Sequence, residues 1–174
     1  MEAVLGAGGG VESWGGTGSV DPRLERFYSD HAAAVHAYLI GLCRDPGLAE
    51  DLTQDTFVKA TRALAGYRGG SPRSWLFAIA RTTFLDHVRR RREYATDAPP
   101  EIAVSDPDVA AVHTVRQVLA SLPESQRSAL ILRDQLDLPY DEVAAALGRS
   151  LAATKVLIHR ARAAFRAAYQ QAES

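Results

Sequence analysis

Two amphipathic helical patterns separated by one glycine lie near the C-terminus of the chain. The first pattern carries apolar residues at helical spacing, namely Val143, Ala144 and Leu147. Gly148 suits a left-handed turn because it has no Cβ, and Ser150 is positioned to cap a second helix. The pattern therefore predicts a helix-turn-helix motif.

The second helix of this pair has an apolar side and a basic side. The apolar side comprises Leu151, Thr154, Ile158, Ala161 and Phe165, and the basic side comprises Lys155, His159, Arg162 and Arg166. Such a helix can bury one side and present its cations to DNA phosphates and base edges. Because amphipathic helix pairs are common in all-α proteins, the motif alone leaves DNA binding and simple packing equally open.

The charge of the chain is local rather than global. The 174 residues have a formal net charge of −1, which argues against a protein that coats nucleic acid by bulk attraction. Arg89–Arg92 and the last helix are basic, whereas residues 97–108 are acidic. We therefore expect weak DNA binding by the isolated chain and stronger binding once a partner positions its basic faces.

The sequence predicts a cytoplasmic protein without disulfides. No apolar stretch approaches the roughly 20 residues that span a bilayer, and the first residues lack the basic flank and apolar core of a signal peptide. Cys43 is the single cysteine, which excludes an internal disulfide and a multi-cysteine zinc site, and its apolar surroundings favour a buried thiol.

The remaining pattern is helical, with no alternating strand pattern. Residues 1–20 are Gly-rich and are expected to be disordered. Helices are predicted from Asp21 to about Cys43, over Leu48–Leu64, and from Ser71–Pro72 to the arginine run. Residues 95–105 form an acidic linker, followed by a helix from Asp106 to about Ala120 and a Ser121–Glu124 capping box that starts a helix through Leu136. The predicted fold is all-α, with small helical domains at 21–94 and 106–174 joined by an acidic flexible linker.

The Leu48–Leu64 helix has a polar half that admits two interpretations. This half holds Glu50, Asp51, Gln54, Asp55, Val58 and Arg62. A solvated outer face is the ordinary interpretation of such a charged surface. The alternative is a protein-docking surface, because Val58 lies among residues that can hydrogen-bond to a basic partner.

Several segments in order resemble the extracytoplasmic-function (ECF) sigma factors of bacterial RNA polymerase. Ala49–Ala60, Tyr67–Phe77, Ile79–Arg81 and Asp86–Arg90 resemble region 2 of that family, and Leu122–Arg162 resembles region 4. The resemblance spans about residues 21–168, and several motifs in register are more specific than one helix-turn-helix. It implies a subunit that directs promoter recognition, DNA melting and transcription initiation while the polymerase core performs the chemistry. No enzymatic activity, cofactor or metal is then expected.

The resemblance also implies partners and their contact residues. The partners are RNA polymerase core, through its β′ coiled coil and β flap, promoter DNA and an anti-sigma protein. Docking on the β′ coiled coil is implied for Asp51, Gln54, Asp55 and Val58, which we call the docking stripe. Contact with the opened −10 strand is implied for Tyr67, Arg68, Arg81, Thr82, Asp86, Arg89 and Arg90. Contact with the −35 element is implied for Ala152, Lys155, Val156, His159 and Arg160, which we call the −35 face.

Aromatic residues and departures from the family pattern leave some roles open. Tyr67 is placed either to stack on a base or to pin its loop, and Trp75 is expected in the core rather than on a base. Many relatives have Asn at Thr82 and a Ser-Arg pair at Val156–Leu157. Apolar Ala152 and Val156 can touch thymine methyl groups instead, so the −35 preference does not follow from the family.

Two other functional classes are weaker alternatives. For an enzyme, His31 and His36 do not align on one helix face, and no His-Glu-x-x-His, phosphate-loop or nucleophile-elbow motif occurs. A stand-alone helix-turn-helix regulator would leave the docking stripe and the arginine run without a role. Binding to polymerase core separates these alternatives.

Overall fold

The computed structural model describes residues 22–94 and 109–174, and all regular structure in these segments is helical. The N-terminal half contains α1 (Pro22–Cys43), α2 (Pro46–Ala63), a 3₁₀ turn (Leu64–Gly66) and α3 (Pro72–Tyr94). The C-terminal half contains α4 (Val109–Ser121), α5 (Glu124–Leu130), a π-helical turn (Ile131–Gln135), α6 (Tyr140–Leu147) and α7 (Leu151–Ala172). The all-α prediction is confirmed.

Some predictions fall on residues outside the described segments. These are the disordered N-terminus at 1–20, the acidic linker at 95–105 and the start of the fourth helix at Asp106. Among the helices that the structure describes, none combines the length and hydrophobicity needed to cross a membrane.

Side-chain caps and prolines fix the starts of α2 and α3. The Oδ1 atom of Asp45 accepts a hydrogen bond from the Leu48 amide at 3.1 Å, and Pro46 occupies the first turn of α2. The helix thus begins two residues before the predicted Leu48, because the residues that end α1 also start α2. The Oγ atom of Ser71 accepts from the Ser74 amide at 3.2 Å before Pro72 opens α3, as predicted.

The predicted capping box at Ser121–Glu124 is wrong. The residue that precedes α5 is Pro123, which makes no side-chain cap, and the Ser121 hydroxyl donates instead to the Val118 carbonyl at 2.7 Å. The Glu124 carboxylate points to other helices. The helix predicted through Leu136 also ends early as a regular α-helix, because the Leu136 amide donates to Ile131 five residues back.

One hydrophobic core joins the two halves of the molecule. Tyr38 on α1 and Phe77 on α3 are buried in the same cluster as Ile131, Leu138 and Ile158 from the C-terminal half. Helix α1 contacts α5, and helix α3 contacts α6. A smaller cluster of Leu122, Leu130 and Ala161 packs α5 against α7. The two predicted helical units are therefore packed against each other.

Gly41 lies at a close approach between the halves. A Cβ atom built on this α1 residue would lie 2.7 Å from the Cδ1 atom of Ile131. Real Cβ atoms essentially never come this close to another atom, so a side chain at Gly41 would require the end of the Ile131 side chain to move.

Candidate nucleic-acid interface

The helix-turn-helix motif is formed as the sequence predicts. Gly148 ends α6 with φ 62° in the left-handed region, and its backbone N–H bonds back to the last turn of α6. The Oγ atom of Ser150 accepts from the Ala153 amide at 3.1 Å and so caps α7. Thr154 and Ile158 are buried beneath the helix. This local chemistry fixes which side of α7 points outward.

All residues of the −35 face are exposed on one side of α7. Lys155 and Arg160 provide cations on this surface, and Val156 is 49% exposed between them. Such an arrangement combines charges that can neutralise phosphates with apolar groups that can contact base edges. The exposed Val156 is consistent with a contact to a thymine methyl group rather than with core packing.

Two other residues of α7 do not lie where the helical spacing predicts. Leu151, expected on the apolar side, is 44% exposed. Arg162, expected on the basic side, donates from Nε to the Oδ2 atom of Asp134 at 3.0 Å. Hydrogen bonding to Asp134 raises the pKa of Arg162 above its ordinary value. The guanidinium of Arg162 therefore pairs with the π-helical turn at Ile131–Gln135. The helical spacing could not indicate this contact.

The loop before α3 is held by an aromatic side chain. The Tyr67 hydroxyl donates to the Gly70 carbonyl at 2.6 Å, and its ring lies 5.0 Å from the ring of Trp75. Gly69 and Gly70 have φ values of 96° and 92°, which favour glycine. Tyr67 thus pins the loop in this structure, while Arg68 at its tip is exposed.

Trp75 packs against the N-terminal core rather than standing free. It is half-buried, and its ring lies 6.2 Å from that of Phe27. This arrangement agrees with the expected core role.

The candidate −10 residues on α3 differ in how exposed they are and in their contacts within the chain. Arg89 and Arg90 are exposed near the end of the helix, and exposed Thr82 donates its hydroxyl to the Ala78 carbonyl at 2.9 Å. The Oδ1 atom of Asp86 lies 3.4 Å from Nη2 of Arg89, and its Oδ2 atom lies 3.9 Å from Nζ of Lys59. The pair between Asp86 and Lys59 joins the helix of the docking stripe to the helix of the arginine run.

Arg81 differs from Arg89 because it is largely buried and makes a two-point pair with a carboxylate of the C-terminal half. Its Nε and Nη2 atoms donate to the two carboxylate oxygens of Glu124 at 2.9 and 2.8 Å. This two-point geometry is the strongest form of an arginine–carboxylate pair. The hydrogen bonds to Glu124 raise the pKa of Arg81 above its usual value. The structure therefore does not place Arg81 on the same open surface as Arg89.

The docking stripe is exposed along α2. Asp51, Gln54, Asp55 and Val58 all face solvent, and Val58 is 48% exposed. The opposite side of the helix is buried through Leu52, Thr56 and Ala60, among others. Single exposed apolar side chains are ordinary on protein surfaces, so the exposure of the stripe is compatible with both a docking surface and a solvated face.

Glu124 makes a contact that the sequence does not reveal. The capping-box pattern predicts a local backbone partner for its carboxylate, whereas its actual partner Arg81 lies 43 positions earlier in the chain. A second pair of this kind joins Arg73 and Glu142 at 2.9 Å. Sequence spacing reports neighbours within a helix, so it carries no signal for contacts between helices so far apart.

Known protein families match both halves of the chain. Residues 27–94 match Sigma-70 region 2, and residues 113–165 match Sigma-70, region 4. The chain is 36% identical over 153 residues to RNA polymerase sigma factor YlaC of Bacillus subtilis, covering 80% of this chain and 87% of the relative. It is 30% identical over 156 residues to the ECF RNA polymerase sigma factor SigM of the same organism, covering 85% and 96%.

A solved structure shares the architecture. The sigma factor RpoE from Bartonella quintana, crystallised with the anti-sigma factor NepR, matches with a TM-score of 0.72 at 26% identity. The match covers 85% of this chain and 97% of that one.

Proposed function

Because the chain belongs to the extracytoplasmic-function family of RNA polymerase sigma factors, we propose that its docking stripe binds polymerase core and its α3 and α7 surfaces contact promoter DNA. The observation that carries this proposal is the simultaneous exposure of the docking stripe on α2 and the −35 face on α7. A stand-alone regulator has no use for the first of these surfaces. We call α1–α3 region 2 and α4–α7 region 4.

Region 2 opens the −10 element by differential binding. The exposed Arg89 and Arg90 at the end of α3, with Arg68 in the preceding loop, supply cations for the backbone of an unpaired strand. Unstacking costs a few kcal/mol per base, and contacts available only to the open strand offset this cost. Arg81, Thr82 and Asp86 complete the proposed surface, with Arg81 available once its carboxylate partner moves away. Tyr67 contributes by holding the loop.

Region 4 recognises the −35 element through α7. Lys155 and Arg160 contact phosphates and position the helix in the major groove, while Ala152, Val156 and His159 face base edges. The role of Val156 is favoured by its exposure, because an apolar residue in this position gains most from contact with a thymine methyl group.

The chain contributes binding rather than chemistry. The polymerase core carries out nucleotide transfer, so the proposed site includes no catalytic residue, metal or cofactor. Because polymerase and promoters are cytoplasmic in bacteria, the protein acts in the cytoplasm. The proposal extends to an anti-sigma partner, supported by the structural match to RpoE, which was solved with the anti-sigma factor NepR.

Run-off transcription tests the function. Purified polymerase core and the full chain should together yield discrete transcripts from fragments of the source genome, whereas core alone and chain alone should not. Affinity capture of core by the tagged chain is measured in parallel. A chain that binds duplex DNA but neither captures core nor supports transcription would be a stand-alone regulator, and the proposal would be wrong.

A further inference from the structure

A large cavity lies where α1, α4, the π-helical turn and α7 meet. Its volume is about 710 Å³. Ligand-binding pockets commonly have volumes of about 300–1,000 Å³, so this cavity is large enough for a small molecule. None of the residues assigned to core docking or to promoter DNA lines it. The proposed function therefore leaves this cavity without a role.

The walls of the cavity are mainly aliphatic. They include Ala37 and Ile40 on α1, Val112 and Val115 on α4, and Leu130 and Ile131 between α5 and the π-helical turn. Val112 is 47% exposed, although covering an aliphatic side chain is favourable. Phe165 is the one aromatic side chain among the described residues that line the cavity. A base or another flat ring would find little to stack on here, whereas a flexible alkyl chain would contact aliphatic groups along its length.

Arginine side chains give the cavity a positive charge. Arg44, just after α1, and Arg166, on α7, both line the cavity and are exposed. Neither makes an ion pair within the part of the chain that the structure describes. Asp134 is the one carboxylate among the described lining residues, and it is already paired with Arg162. The cavity therefore carries uncompensated positive charge, which favours an anionic group on its ligand.

The backbone at Arg44 has a conformation that arginine rarely adopts. Its φ is 60°, in the left-handed region that favours glycine, and its amide donates to the Ile40 carbonyl at 2.9 Å. Glycine would end α1 in this way with less strain. The chain instead has an arginine whose side chain lines the cavity, and strained residues are concentrated at sites that contact ligands.

The volume of the cavity suits a ligand with one alkyl chain. Liquid water occupies about 30 Å³ per molecule, so at a similar density the cavity holds roughly 24 non-hydrogen atoms. On the same count, hexadecanoate has about 18 such atoms and a two-chain phospholipid has about 50. Two turns of an α-helix, about 11 Å long and 10–12 Å wide, occupy roughly 1,000 Å³. A single-chain fatty acid therefore fits inside the cavity, whereas a phospholipid or a peptide helix does not.

We propose that this cavity binds a single-chain fatty acid, with its alkyl chain along the aliphatic walls and its carboxylate at Arg44 and Arg166. The walls come from α1 of region 2 and from α4 and α7 of region 4, so the ligand contacts both regions. The site exists only in the folded chain, and the ligand therefore raises the thermal stability of the protein. Because the cavity is separate from the surfaces proposed for core and DNA, the site can be tested independently of them.

Displacement of a fluorescent fatty acid measures binding to the full chain. The probe is cis-parinarate, whose fluorescence rises in apolar surroundings, and every competitor is used below its micelle concentration. Hexadecanoate should displace the probe and, at about 100 times its dissociation constant, raise the melting temperature by about 5–10 °C. Octanoate should bind more than about 100-fold more weakly, because each buried CH₂ contributes about fourfold. Hexadecyltrimethylammonium has the same chain with the opposite charge and should bind at least about fivefold more weakly.

Substitutions at exposed lining residues locate the site. Val112→Glu places a carboxylate in the aliphatic wall and should weaken hexadecanoate binding at least about tenfold. Leu151→Glu is its control, because Leu151 is 44% exposed at the opposite end of α7 from the cavity. Arg44→Gln with Arg166→Gln should weaken binding about fivefold, since exposed ion pairs contribute modestly. The control for this pair is a double substitution at exposed positions of region 2, Arg26→Gln with Arg62→Gln.

The remaining outcomes would overturn the proposal. Equal affinity for hexadecanoate and for the cation of the same chain length, or wild-type affinity in Val112→Glu, would show that the fatty acid does not occupy this cavity. If Val112→Glu does not fold, unchanged affinity in the double arginine variant decides against the site. Binding of an acidic amphipathic peptide at Val112 without any binding of hexadecanoate would make the cavity part of a protein-docking groove. Core capture and transcription need no fatty acid, so each of these failures leaves the proposed function standing.

Discussion

At the scale of single residues, the charge of Glu124 decides how firmly region 4 holds Arg81. Burial alone would raise the pKa of Glu124, but hydrogen bonds from Arg81 and Ser128 and the charges of Arg81 and Arg127 outweigh burial and lower it. The other groups facing this carboxylate keep their protonation in acid, because the partners are arginines, a serine and Tyr38, whose pKa burial raises. Glu124 is therefore the titrating member of the network.

The lowered pKa predicts an acid-sensitive interface. Above about pH 4.3, the ordinary pKa of a glutamate, Glu124 is ionised whether the chain is folded or unfolded, and its stabilisation is complete. This stabilisation is lost as the pH falls through the lowered folded-state pKa. Wild type should exceed Glu124→Gln in unfolding free energy by about 1–3 kcal/mol at pH 7. The difference should shrink toward zero below pH 4, measured by urea denaturation across pH. A pH-independent difference would contradict this, and exposed Glu93→Gln serves as the control.

At the scale of elements, local chemistry predicted most helix boundaries but failed at α5. The caps at Ser71 and Ser150 and the turn at Gly148 act within a few residues, so the sequence reveals them. The cap at Asp45 was not predicted, and α2 therefore begins before the expected Leu48. The motif at Ser121–Glu124 has the same local form, yet the Glu124 side chain gains more from Arg81 than from a backbone amide. Tertiary contacts overrode the local pattern at that point.

The element α2 carries a prediction about docking. Asp51→Arg with Asp55→Arg reverses two exposed charges of the docking stripe and should abolish binding to polymerase core. Exposed substitutions usually change stability by less than about 0.5 kcal/mol, so helicity and melting temperature should stay near wild type. Core capture and thermal denaturation provide the measurements. The matched control, Glu93→Arg with Glu173→Arg, changes exposed carboxylates away from the stripe. Retained core affinity in the stripe variant would refute the assignment.

The element α7 carries a prediction about salt dependence. Lys155→Ala with Arg160→Ala should weaken binding to a −35 duplex, and each lost phosphate contact should reduce the slope of log affinity against log salt by about one. Titrations at several salt concentrations measure this slope. Arg26→Ala with Arg62→Ala removes the same charge from exposed positions of region 2 and should leave the slope unchanged. Equal slopes in both variants would place the duplex-binding surface elsewhere.

At the scale of the whole molecule, the sequence predicted two helical units but not how they meet. Each unit can be recognised in the sequence because helical periodicity and helix caps depend on residues that are close along the chain. The interface depends on pairs such as Tyr38 with Ser128, 90 positions apart, and Arg81 with Glu124, 43 apart. The family resemblance implied Arg81 as a DNA contact, but an arginine on a basic helix serves strands and carboxylates equally well. The sequence therefore predicted which residues form the candidate site, but not which of them are accessible to DNA.

Promoter opening provides the prediction for the assembled protein. Arg89→Ala with Arg90→Ala should leave core capture and closed-complex formation intact, because the docking stripe and α7 are unchanged. Permanganate reactivity of unpaired thymines near the −10 element should fall on duplex templates. Activity should recover on a template with a premelted bubble, where the few kcal/mol of unstacking is no longer required. Equal impairment on both templates would exclude a role in melting, and Arg26→Ala with Arg116→Ala, at exposed positions away from α2, controls for lost charge.

The shared core also sets an order of events during synthesis. Bacterial chains emerge N-terminus first at about 5–20 residues per second, so α1 to α3 are complete before Glu124 has been translated. In that interval the apolar side of α1 that later packs on Ile131 is uncovered, and Arg81 has no carboxylate from α5. The nascent chain thus passes through a stage in which Arg81 is not yet paired with Glu124. Arrival of the C-terminal helices both completes the core and pairs Arg81.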